Sequence, residues 1–140
     1  MAKVITFVDA GVLITAARGQ DPHLQQKALQ ILNDPNREFA ASDFVQLEVI
    51  PKAVFVSNDD EFGFYRDFFA ACQYWPADND RLIEEALNQA NAYGLNGMDA
   101  LHIAAAILVG AAEFVTTEKP AKSIHRAAGI TVISIQIITD

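Results

Sequence analysis

Cysteine is almost missing from this chain of 140 residues. Cys72 stands alone, so no disulfide forms within the chain and no thiolate metal site can be assembled. That fits a reducing compartment and excludes a small disulfide-stapled scaffold. Basic residues are scarce as well: 10 Lys and Arg face 18 Asp and Glu, for a formal charge of -8 and a pI near 4.7. This balance excludes gripping duplex DNA by charge neutralisation alone, which needs a dominant basic face. It leaves a nuclease open, because active-site carboxylates add to the acidic count and are neutralised by metal. Phosphate-cradling glycine loops are lacking, both G-x-x-x-x-G-K-[ST] and G-x-G-x-x-G, which disfavours a nucleotide-binding enzyme. Long apolar runs are lacking too. Ala100 to Ala112 contains His102 and falls short of the roughly 20 residues of a membrane span. Met1 to Ala17 is interrupted by Asp9, has only Lys3 ahead of it and shows no convincing cleavage site, so it does not read as a signal peptide. The expectation is a soluble, cytoplasmic protein with no membrane association.

What is present suits a packed core. The chain is 51% hydrophobic and 20% charged, and its length is that of one domain, here taken as residues 1–140. No linker, repeat or low-complexity segment interrupts it. Val4 to Val8 is a short β-rich run, apolar on both faces. Val12 to Ala17 looks helical, and Asp21-Pro22 starts a helix that runs to Leu32. Glu38 to Ala41 is a second strand. Ser42 caps a helix through Val56, with a kink expected near Pro51. Asn58 and Glu61 open another helix, and Asp78 to Tyr93 is the clearest amphipathic one. Asn96 caps a buried, alanine-rich helix from Gly97 to about Val109. Glu113 to Thr116 is a strand, Ala121 to Ala127 a short helix and Gly129 to Ile135 a last strand. Strands separated by helices imply a parallel sheet covered on both faces.

Such sheets bind ligands beyond the carboxyl ends of their strands. Asp9 follows the first strand, and Ser42-Asp43 follows the second, with Glu48 less than two turns into the next helix. Asp99 lies in the first turn of the buried helix, and Thr117-Glu118 follows the third strand. Acids gathered at one sheet edge repel one another and stay together only with protons, partners or a cation. An oxygen-only donor set points to Mg²⁺ or Mn²⁺. Each acid also has a structural reading. Asp9 suits a helix N-cap, Asn96-x-x-Asp99 a capping arrangement, and Glu48 and Glu118 solvated positions. His102 shares a helix face with Asp99 and reads as a hydrogen-bonded core histidine, with no second His at zinc-like spacing.

Four motifs taken together resemble the PIN domain family. Phe7-Val8-Asp9-Ala10-Gly11-Val12-Leu13-Ile14 looks like that family's opening strand and first acid, and Leu47-Glu48-Val49 like its helix acid. Gly97-Met98-Asp99-Ala100-Leu101-His102-Ile103-Ala104-Ala105-Ala106 is similar to its third motif, and Phe114-Val115-Thr116-Thr117-Glu118-Lys119 to its last. The order holds over essentially the whole chain. One position departs: the final acid is more usually Asp, and the extra methylene of Glu118 moves its carboxylate. The resemblance implies an α/β fold, a three-layer α/β/α sandwich around a mostly parallel sheet. It implies an Mg²⁺- or Mn²⁺-dependent ribonuclease, frequently the toxin of a bacterial toxin–antitoxin pair and a homodimer. Asp9, Glu48 and Asp99 would hold the metal, and Glu118 would be a peripheral fourth acid that Thr116 or Thr117 could orient. Phosphodiester hydrolysis by metal-activated water would leave 5′-phosphate and 3′-hydroxyl ends. Three acids suit one ion, and four leave room for two.

Past the last motif, Lys119, Lys122, His125 and Arg126 lie together, and Lys119, Lys122 and Arg126 are candidates for backbone phosphate contacts. Single-stranded or looped RNA suits a recessed acidic site. The aromatic stretch Phe62, Phe64, Tyr65, Phe68, Phe69, Tyr74 and Trp75 exceeds what one helix's core face needs. Part of it is a candidate dimer surface or antitoxin groove, against a plain core patch. Two rivals to the nuclease stand: a catalytically inactive scaffold module, which Glu118 keeps open, and a phospho-acceptor domain, ranked last because Asp9 stands alone at the first strand.

Overall fold

The computed structural model describes residues 2–137; Met1 and residues 138–140 lie outside it. The strands are β1 (Val4–Val8), β2 (Arg37–Ala40), β3 (Glu113–Thr116) and β4 (Thr131–Ser134), in the order β2-β1-β3-β4. Every pairing is parallel: Phe7 sits opposite Ala40 on one side and Phe114 on the other, and Thr116 opposite Ser134. The helices among the described residues are α1 (Ala10–Arg18), α2 (Pro22–Leu32), α3 (Asp43–Phe55), α4 (Asp59–Ala71), α5 (Asn79–Tyr93) and α6 (Gly97–Leu108). Successive residues of β1 point to opposite faces, yet Phe7 and Val8 are 0% and 1% exposed, so helices cover the sheet on both sides. The expected α/β/α layering is what the chain builds.

The ends of the elements follow from local chemistry. Asp21, Ser42, Asn58, Asp78 and Asn96 each accept a backbone N–H from the first turn of the helix they precede. Gly94 stops α5 with φ at 69°, a left-handed conformation that glycine takes at no steric cost. α3 runs unbroken through Pro51 to Phe55. The missing proline N–H would have bonded the carbonyl of Leu47, an exposed residue.

Three expectations change. The segment Ala121 to Ala127 makes only a 3-10 turn, Ser123–Arg126. So short a helix cannot offset its own nucleation, and Gly129, with φ at 88°, follows closely. The last strand keeps Thr131–Ser134, the residues that meet β3. The aromatic surplus is inward: Tyr65 and Phe69 are buried, and Phe62, Phe64, Phe68, Tyr74 and Trp75 pack against the core. The apolar residues that do face solvent include Leu47, Val54, Phe55 and Val56 along α3 and its end. Among the described residues no helix is long and apolar enough to cross a membrane.

The sheet order positions the site. From β1 the chain crosses to β2 on one side, then returns across the sheet to β3 on the other. The loops leaving β1 and β3 therefore part, and the crevice between them lies at the carboxyl edge, where ligands bind in such folds.

Candidate active site

Asp9 leaves β1 at that crevice and caps α1. Its Oδ1 accepts the Ala10 N–H at 2.8 Å, and its Oδ2 accepts the Thr116 hydroxyl at 2.9 Å. Thr116 ends β3 fully buried, and its Oγ1 also accepts the Glu118 N–H at 3.1 Å. The hydroxyl has one proton, and Asp9 takes it. Thr116, rather than Thr117, thus fixes the turn that carries Glu118. The Thr117 side chain lies against α1, where a Cβ on Gly11 would stand 2.4 Å from its Oγ1. The missing Cβ lets the Thr117 side chain rest this close to α1.

Asp99 stands in the first turn of α6. Asn96 accepts its N–H through Oδ1 at 2.9 Å and donates through Nδ2 to its Oδ2 at 3.0 Å. Asn96 thus caps the helix and also holds the Asp99 carboxylate through its side chain. Glu48 comes from the middle of α3 and reaches α6, where its Oε1 lies 2.5 Å from His102 Nε2. The Glu48 side chain is 36% exposed, and that of His102 is 1% exposed. The histidine is indeed a hydrogen-bonded core residue, tilted beside the Phe7 ring. Its partner on another helix went unforeseen, because nothing local in either segment names it. His102 Nδ1 is buried without a partner. Glu118 is exposed in the turn after β3.

Electrostatics ties these groups together. Burial is the main reason the Asp9 carboxyl is held above its ordinary value of 3.8; His102, the Thr116 hydroxyl and the Ala10 N–H pull it back, and the Glu48 charge pushes it up. Asp99 is raised by burial first and by the Asp9 charge next, with Glu118 and Glu48 adding to it and His102 opposing. Acids from four separate segments therefore repel one another across one crevice.

Among the described residues, no three such side chains converge as a ready-made metal site. Each carboxylate rests on a neighbour: Asp9 on Thr116, Asp99 on Asn96, Glu48 on His102. The donor chemistry nevertheless fits a hard divalent cation. The acids offer oxygen only, and two of them hold raised carboxyls that an adjacent positive charge would relieve.

Lys119, Lys122 and Arg126 are exposed beside this edge. Arg126, however, donates through Nε to the Tyr93 carbonyl at 2.9 Å and through Nη2 to that of Gly94 at 3.2 Å. It fastens the 3-10 turn to the end of α5, which leaves the phosphate reading to the two lysines. A groove of about 650 Å³ lies away from the acids, lined by Arg18, Asn58, Glu61 and Phe64 among others. There Arg18 and the Tyr65 hydroxyl both donate to Glu61, at 3.2 and 2.6 Å. The Arg18 bond joins α1 to α4 and the Tyr65 bond lies within α4, so both are packing contacts; the four acids gather instead at the open sheet edge.

No curated protein matches the chain by sequence. Its fold is similar to the crystal structure of VapBC2 from Rickettsia felis bound to a DNA fragment from their promoter, with a TM-score of 0.69 and 13% identity over 94% of this chain and 98% of that one. It is similar also to DNA-bound VapBC from Salmonella typhimurium, with a TM-score of 0.68 and 14% identity over 96% and 99% of the two chains. At these identities the likeness is one of fold. The sequence model of the PIN domain matches residues 6–126, a span that runs from β1 through the 3-10 turn and includes every acid described above. The chain belongs to the PIN domain family.

Proposed function

We propose that this PIN domain is a metal-dependent endoribonuclease that hydrolyses RNA phosphodiester bonds, acting as the toxin of a type II toxin–antitoxin pair. PIN domains are generally nucleases. One observation carries the reading: Asp9 and Asp99, each raised by burial first and by neighbouring carboxylate charge as well, share a crevice with Glu48 and Glu118 at the switch point of the sheet. Asp9, Asp99 and Glu48 would hold Mg²⁺ or Mn²⁺, with Glu118 at the rim. A bound ion of this kind supplies a water of lowered pKa and offsets charge on the phosphate. Thr116 keeps the Asp9 carboxylate oriented, and Asn96 does the same for Asp99. Lys119 and Lys122 contact backbone phosphate of a single-stranded or looped RNA. An antitoxin partner is supported by the two VapBC complexes of similar fold. In this reading the protein is cytoplasmic and pairs as a homodimer.

Mn²⁺ or Mg²⁺ is expected to activate cleavage of a looped RNA by the purified protein, and EDTA to stop it. Asp9→Asn should lower turnover by about 100-fold or more, the scale seen when a charge-stabilising group is lost, with an unchanged circular dichroism spectrum. Cleavage that survives EDTA, or a folded Asp9→Asn enzyme of full activity, overturns the proposal. A catalytically inactive binding module is the second reading, favoured by Glu118 in place of the usual Asp and by acids that do not converge. It predicts RNA or antitoxin binding with no metal-activated cleavage.

A further inference from the structure

We propose that His102 is a positioning residue for Glu48. From the buried face of α6 its Nε2 donates to Glu48 Oε1 and keeps that carboxylate among the charges of Asp9 and Asp99, ready to share a divalent ion with them. This inference rests on the metal-dependent reading above and adds a residue to it.

The case begins with what Glu48 would do alone. It projects from the middle of α3 with its side chain 36% exposed. Asp9 and Asp99 both feel its negative charge, and it feels theirs. A flexible glutamate in that position is driven outward into water by repulsion and by its own rotamer freedom. Something on the inner side must hold it, and the hydrogen bond to His102 at 2.5 Å does so.

The imidazole is otherwise a poor choice for its place. Its neighbours along α6 are Ala100, Ile103, Ala104, Ala105 and Ala106, all buried, and Phe7 lies beside the ring. Packing alone would favour an apolar side chain of that size, since Nδ1 is buried with no partner. An ionised carboxylate only accepts, so Nε2 is the donor to Glu48, and Nδ1 is left buried with no partner. The orphaned atom marks a residue kept for its other nitrogen. Position on the helix supports this. Asp99 and His102 are three residues apart on one face, so α6 sets an acid and the donor for a second acid at a fixed spacing. Metal-binding carboxylates commonly have such a donor behind them, and losing it weakens metal affinity by about 10–100-fold.

The test is calorimetric titration of the full-length, metal-free protein with Mn²⁺. His102→Leu fills the space without a donor and should bind Mn²⁺ about 10–100-fold more weakly. His102→Gln carries an amide nitrogen out to the Nε2 position and should recover most of that loss. His102→Asn is too short to reach Glu48 and should behave as His102→Leu, which keeps the comparison available if the leucine variant does not fold. With Glu48→Gln already in place, His102→Leu should add nothing further. Wild-type binding of Mn²⁺ with His102→Leu, or His102→Asn, binding equally or more tightly overturns the role of His102 and leaves the metal-dependent reading standing. A wild-type protein that binds no Mn²⁺ overturns both.

Discussion

Asp9 carries its charge into a site where it is 8% exposed, and that has a measurable consequence for stability. Its carboxyl is raised in the folded protein above the ordinary 3.8, chiefly by burial. Between those two values the folded chain holds a proton that the unfolded chain has released. The group's contribution is therefore most favourable in acid and is lost as pH rises through the raised value. We expect metal-free Asp9→Asn to melt above wild type at pH 8, with the gap closing as the pH falls. Thermal melts from pH 8 down to pH 5 check this. Adding Mn²⁺ at pH 8 should raise the wild-type Tm and leave the variant's unchanged. At this scale the acids were legible in the sequence because Asp9 and Glu118 follow strand ends, Asp99 lies in a helix's first turn and Glu48 less than two turns into another. Their partners were not. The proton that Thr116 gives Asp9 exists only because β3 lies beside β1, and the bond between Glu48 and His102 only because α3 crosses α6.

The elements themselves could be read from apolar spacing and capping residues. β1 and the limits of α2 were legible, and β2, α5, α6 and the start of α4 lie within a residue or so of expectation. The failures fell where tertiary contacts decide. Residues 121 to 127 have helix-forming alanines but too few turns, and the ends of β4 are set by the length of β3. The aromatic stretch looked excessive for one helix because its counterparts come from elsewhere: Phe68 meets Phe39 edge-on, and Phe69 packs on Trp75. Gly11 offers a test at this level. Helix propensity alone makes Gly11→Ala stabilising by about 1 kcal/mol. The added Cβ would stand 2.4 Å from Thr117 Oγ1, and overpacking of this kind costs about 1–3 kcal/mol. The crowding should win, giving a net loss in urea unfolding. Gly11→Ala combined with Thr117→Ala should recover it and exceed the Thr117→Ala single variant. A stabilised Gly11→Ala would show that the contact between α1 and the β3 exit turn is loose.

The whole molecule carries a formal charge of -8, so under the proposed ribonuclease function it repels RNA at a distance and needs a few local cations. Lys119 and Lys122 are the exposed ones beside the acids that are not tied down as Arg126 is. Their joint replacement by alanine in an Asp9→Asn background, which prevents cleavage, should weaken single-stranded RNA binding. It should also lower the slope of log affinity against log salt by about 1.4, the amount for two phosphate contacts. Fluorescence anisotropy over a salt series measures both, and an unchanged slope removes the lysines from the interface.

Asp9 and the Thr116 hydroxyl meet although 107 positions separate them in the chain. A ribosome synthesising this protein releases Asp9 early and Glu48 and Asp99 well before the strand that must slot in beside β1. Until that strand arrives, the crevice has one wall. A growing chain therefore carries three of its four acids while still unable to bring them to bear. The topology thus withholds the assembled crevice until β3 has been made.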